Sequence, residues 1–219
     1  MLRSWIRWAP LTGLVSAALG VAGGAIEIVT NPPGSDAGGK EVIAFYSAQG
    51  GIQQLGSALL ALAFVFFLFF AGSLRSYLRQ TPELEGLSTI ALAGAVLETA
   101  GQTTGAGYVW TLAQGAGHLD SSAALALNAL SNNAVATNTA GMIVFGIAAG
   151  LAILRGAGIP RWLGWVAIVM AVGVVTPAEG FSFLALVVWM VILSILIWMR
   201  GGQARKEQAG AVPSPIEVG

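Results

Sequence analysis

Long apolar runs separated by short polar or turn-rich stretches dominate this chain. A membrane-spanning helix needs about 20 predominantly apolar residues, and six segments suit that length: about 8–30, 52–74, 87–112, 123–154, 160–176 and 181–199. The first follows Arg3 and Arg7 and stays apolar from Leu11 to Val29, longer than a secretory leader core, so it is expected to remain as an anchor. On a helix, Gly13, Ser16, Gly20, Gly23, Gly24 and Glu27 share one arc, a small-residue stripe that lets a neighbouring helix come close. Asn31 to Gln49, opening with NPPGSDAGG and carrying Lys40 and Glu41, reads as an aqueous loop, because irregular backbone cannot remain unsatisfied in hydrocarbon. The second segment contains FVFFLFF, is apolar all round, and reads as a peripheral or lipid-facing helix.

Helices three and four are the polar ones. Helix three places Glu98 midway along a glycine-rich run, GAVLETAGQTTG, where an ionisable group costs roughly 2.5 to 3.5 kcal/mol on insertion scales and marks a candidate functional site. Gly94, Gly101, Gln102 and Gly105 fall within about 60° of it at 100° per residue. Helix four carries Asn128, Ser131, Asn132, Asn138 and Thr139 within an arc of about 120°. At 1.5 Å per residue Glu98 lies about 16 Å beyond Leu87, and Asn132 about 14 Å beyond Ala123 from the opposite side, so both are expected near the midplane. The candidate intramembrane site is therefore Glu98, Gln102, Asn128, Asn132 and Asn138, with Glu27 near the outer boundary. Two readings compete for it. The groups staple helices together by interhelical hydrogen bonds, at about 0.6 kcal/mol each, or they line a polar, proton-linked pathway.

Composition agrees with lipid as the solvent. Hydrophobic residues make up 56% and charged residues 9% of the chain, against about a quarter charged in a soluble domain. Net charge is zero, so no basic surface invites nucleic acid. The absence of Cys removes disulfides, thiolate chemistry and Cys-ligated metals, and the single His118 removes paired-His sites; no cofactor or metal is expected. His118 and Asp120 read as a solvated loop pair, and Ser182 has no intramembrane His to act as its base. The spacings Gly101 to Gly105 and Gly146 to Gly150 fit small-xxx-small packing between chains or within one. Arg3, Arg7, Arg75, Arg79, Arg155, Arg161, Arg200, Arg205 and Lys206 fall on one side of a six-helix arrangement and only Lys40 on the other, which makes both termini cytoplasmic. Residues 201–219 are polar and Pro-containing and read as a disordered cytoplasmic tail.

From Ile153 the string ILRGAGIPRWLGWVAIVMAVGVV, with Pro160, Arg161 and the Trp162, Gly164, Trp165 pattern, resembles the C-terminal third of uncharacterised bacterial integral-membrane families of unknown function. The resemblance covers about 153–200, implies a six-helix bacterial membrane protein, and transfers no activity or site residue. The expected fold is all-α, a polytopic bundle in the cell membrane. The expected function is a non-enzymatic membrane module acting through helix or partner contacts, with the bilayer and a membrane-protein partner or second copy as its company. The alternative is a small-solute or proton-coupled carrier built around Glu98 and Asn132.

Overall fold

The computed structural model describes residues 8–133, 135–176 and 179–210, and their side chains apart from those of 135–138, 179, 180, 183 and 201–210. The described residues are helical, with no strand. After a 3-10 turn at Ala9–Leu11 come α1 (Thr12–Thr30), α2 (Gly39–Leu78), a second 3-10 turn at Pro82–Leu84, α3 (Glu85–Gly115), α4 (Ser121–Asn133), α5 (Val135–Leu154), α6 (Arg161–Gly173) and α7 (Glu179–Gly210). Two helical stretches, Ala9–Thr30 and Gly39–Leu78, are long and apolar enough to cross a membrane.

Packing closes six of these helices into a ring. α1 lies against α2, α2 against α3, α3 against α5, α5 against α6, α6 against α7, and α7 returns to α1, while α4 stands against α2 and α3. Small residues make the closest contacts. A Cβ on Gly23 would come within 3.1 Å of the Gly56 carbonyl, and Ser16 Oγ donates to the Ala63 carbonyl at 2.8 Å, so α1 uses the stripe that its sequence presents. Glycine does the same between α5 and α6, where a Cβ on Gly150 would stand 2.7 Å from the Gly164 carbonyl and one on Gly146 2.9 Å from that of Ala167. Gly146 and Gly150 are thus occupied within the chain.

The interior between α2, α5 and α7 is filled by aromatic rings. Phe67 meets Phe145 edge to face at 5.0 Å, and Phe145 meets Trp189 in the same manner at 6.0 Å, geometries that the ring quadrupole favours. Trp189, 1% exposed, donates its indole N–H to the Leu163 carbonyl at 2.8 Å, which satisfies the one polar atom it buries. FVFFLFF is therefore only partly peripheral: Phe67 and Phe70 face the core, and Phe69 is half exposed.

The second helix begins at Gly39, thirteen residues before the expected Ile52. Val42 and Tyr46, one turn apart, bury against Leu112, Ala116 and Ala124, so the stretch assigned to a loop is an amphipathic helix with its own small core. Gly50 serves close packing there rather than a turn, since a Cβ on it would sit 2.9 Å from the Ala113 carbonyl. The connection shortens to Asn31–Gly38. It starts at Asn31, whose φ of 48° is the left-handed conformation that commonly ends a helix and that asparagine tolerates. At the opposite end α7 continues to Gly210, beyond the stop expected at Arg200 to Gly202; residues 211–219 lie outside the described residues.

Candidate functional site

α3 turns Ser88, Ala91, Gly94, Ala95, Glu98 and Gly101 inward at helical spacing. Glu98 is 5% exposed. Its neighbour across the interface is α5, where a Cβ on Gly141 would stand 2.9 Å from Glu98 Cβ, and a Cβ on Gly94 would stand 2.9 Å from the Gly141 carbonyl. The two glycines let the helix backbones approach closely beside the carboxyl. One turn further, Gln102 Nε2 donates to Glu98 Oε1 at 3.0 Å. Glu98 Oε2 is buried without a hydrogen-bond partner. A carboxyl so placed can hold a proton or a hydrogen bond; the Gln102 amide and the Met142 N–H of α5 are the donors beside it, two for four lone-pair sites.

The asparagines occupy a different place. Asn128, 2% exposed, donates from Nδ2 to the Gly34 carbonyl at 2.9 Å. Asn132 Nδ2 reaches the Asn128 carbonyl at 2.9 Å and the Pro33 carbonyl at 3.4 Å. Both amides thus satisfy backbone groups of the connection between α1 and α2, and α4 acts as a clasp over it. The structure joins Glu98 with Gln102, and Asn128 with Asn132; it does not join the two pairs, and the expected midplane meeting of Glu98 and Asn132 is replaced by the α3–α5 contact. The side chain of Asn138 lies outside the described residues. Glu27 is exposed on the last turn of α1, where its carbonyl accepts from the Asn31 N–H at 2.9 Å.

Asp120 serves α4 locally. Its Oδ1 accepts from the Ala123 N–H at 2.8 Å, the geometry of a helix N-cap, and that amide holds the Asp120 carboxyl below the usual carboxylate range. His118 instead closes the turn after α3 through its own N–H, which donates to the Gly115 carbonyl at 2.8 Å.

Two polar contacts were not legible as sites. Gln53, 3% exposed, donates to Thr30 Oγ1 at 2.7 Å and ties α1 to α2; the only hint was a Gln pair opening an apolar run. Arg200 Nη1 donates to Tyr77 Oη at 3.2 Å and to the Gly158 carbonyl, gathering α2, the α5–α6 connection and α7 at one end of the bundle. The same end holds the Arg79–Glu85 ion pair at 3.1 Å, exposed on both sides and so of little energetic weight. At the α4 end of α2 and α3, a groove of about 600 Å³ is lined by Ser47, Gly50, Gly51, Gln54, Gln114 and Gly117 among others, with no charged side chain. Among the described residues no group of three or more His, Asp or Glu could hold a metal. No family model, curated protein or solved structure matches the chain.

Proposed function

We propose that the chain is a multi-pass membrane protein, a non-enzymatic module that acts through helix and partner contacts. The observation that carries this is a broad apolar exterior combined with small residues at the closest helix contacts of α1 and α2. Gly13, Ser16, Gly20, Gly23, Gly56 and Ser57 are buried, whereas Ile28 and Val29 are 82% exposed and Val169, Val175 and Leu184 are at or above 59%. Water penalises so broad an apolar exterior; lipid does not, and membrane interfaces favour small residues that bring backbones together. In this reading α1, α2, α3, α5, α6 and α7 are the six spans, with the arginine-bearing connections and both termini on the cytoplasmic side. α6 is the shortest, at about 20 Å for 13 residues, and spans only with the turn that follows it or where the bilayer thins.

Purification in mild detergent tests the proposal. The expected result is a carbonate-resistant membrane protein that associates with itself or a partner and moves no solute when reconstituted. A monomer that copurifies with nothing and yet transports a solute would overturn it.

A second reading has one observation in its favour, the unpartnered Oε2 of Glu98. It makes the chain a proton-coupled carrier with Glu98 as the site that takes and releases the proton. Glu98→Gln then abolishes pH-dependent uptake into vesicles while leaving expression unchanged; uptake that survives the substitution rejects the role.

A further inference from the structure

α2 is 40 residues long, about 60 Å, twice the thickness of a hydrocarbon core. With Arg75 at the inner boundary, about 20 residues cross the core, which brings its outer edge to the neighbourhood of Leu55. The first four turns of α2 therefore project past the lipid. Ala44, Ala48, Gly51 and Leu55 are exposed along that projection, and the same line continues as exposed Ala58, Leu62 and Val65. The intervals alternate strictly between four and three residues, which is the 3.5-residue repeat of a coiled-coil seam.

The seam is apolar where lipid no longer covers it, and its outermost members are the smallest, so a second helix can approach most closely there. Its end is also electrostatically self-matched. Lys40 and Glu41, both exposed, sit on opposite flanks of the seam line, at about −40° and +60° from Ala44 at 100° per residue. Across a two-fold axis parallel to the helices, each flank meets the opposite flank of the other copy, so each Lys40 faces a Glu41. Parallel alignment is also what two copies inserted in one orientation must adopt. Gln54 and Gln114, at the edge of the adjoining groove, place neutral hydrogen-bonding groups beside the seam.

We propose that the exposed α2 seam from Ala44 to Val65 is the interface of a parallel, two-fold symmetric homodimer. The inference rests on the membrane reading above and gives it a definite partner, a second copy of the chain.

The chain has no Cys, so single-cysteine variants report one position each. In native membranes, oxidation of Ala44→Cys, Ala48→Cys and Leu55→Cys is expected to yield covalent dimer at least about tenfold above Ser35→Cys and Ser122→Cys, which are exposed off the seam at the same end of the bundle. Lys40→Glu on the Ala48→Cys background is expected to lower the yield about fivefold by setting like charges together, and Lys40→Glu with Glu41→Lys to restore it. Seam cysteines that cross-link no better than the two controls overturn the inference, as does a charge exchange that fails to restore what the single change removes. Carbonate extraction of the same samples separates the two levels: protein released from the membrane fails the membrane reading, whereas membrane-retained protein without seam cross-links fails the dimer alone.

Discussion

Glycine at the α3–α5 contact is a steric requirement rather than a helix-propensity choice. A Cβ on Gly141 would meet the Glu98 backbone, with Cα at 2.7 Å, and a helix backbone cannot rotate aside as a flexible side chain can. Gly141→Ala is expected to destabilise the bundle by about 1 to 3 kcal/mol, the usual cost of overpacking. Gly24 and Gly72 supply the contrast, since a Cβ at either meets nothing within 4 Å. Alanine there is expected to be neutral or stabilising by up to about 1 kcal/mol, because glycine is the poorer helix former. Unfolding in mixed detergent micelles with increasing denaturing surfactant measures all three; Gly141→Ala unfolding at or beyond the Gly24→Ala midpoint would contradict the assignment. The sequence already placed Gly94, Gly101 and Glu98 on one face. It could not name the facing helix, because depth along a helix is readable from residue count and lateral neighbours are not.

At the scale of elements, α4 shows what a polar helical stretch contributes. Its buried Asn128 and its neighbour Asn132 hold the carbonyls of Gly34 and Pro33, and Asp120 caps its first turn through the Ala123 N–H. That capping bond lowers the Asp120 pKa, so its stabilisation is fully present above the unfolded value, about 3.9, and is lost as pH falls through the lower folded value. Protection of the Ala123 and Ala124 amides, taken relative to the intrinsic exchange rate at each pH, is therefore expected to fall below about pH 4, and Asp120→Ala should show the lower protection above that pH and converge with the native chain below it. Protection that does not change across that range in the native chain, or that Asp120→Ala leaves intact, would remove the capping role. The existence of the apolar helices was legible because each has a long run and punctuated ends. Two boundaries were not. The first four turns of α2 bury only every third or fourth residue against α3 and α4, a weak amphipathic pattern beside NPPGSDAGG, and Lys40 and Glu41 disguised it as loop. The asparagines of α4 were read as helical but not matched to their partners: Asn128 and Asn132 bond the α1–α2 connection, a lateral neighbour that residue counting does not reveal.

For the whole molecule, the arrangement of connections fixes which ends lie together, independently of any membrane. Arg200 links Tyr77 and Gly158, so the α2–α3 turn, the α5–α6 connection and the Arg200 turn of α7 share one end. Asn128 and Asn132 link α4 to the α1–α2 connection, which sets Ser35 and Ser122 together at the other. If the ring crosses a bilayer, arginine belongs on the cytoplasmic side, because the charge bias of short connections governs orientation during insertion. Single-cysteine variants again read this cleanly. In intact cells an impermeant maleimide is expected to label Ser35→Cys and Ser122→Cys, and to label Gln80→Cys only after permeabilisation; all three native side chains are solvent-exposed, so accessibility within the fold does not confound the comparison. Labelling of Ser35→Cys and Gln80→Cys from the same side would mean that α2 does not cross the bilayer. Labelling of Gln80→Cys alone would keep the crossing and reverse the orientation, with the arginine end outside. The pairing of Ser35 with Ser122 tests the fold separately, since these two must respond alike in either orientation if α4 clasps the α1–α2 connection.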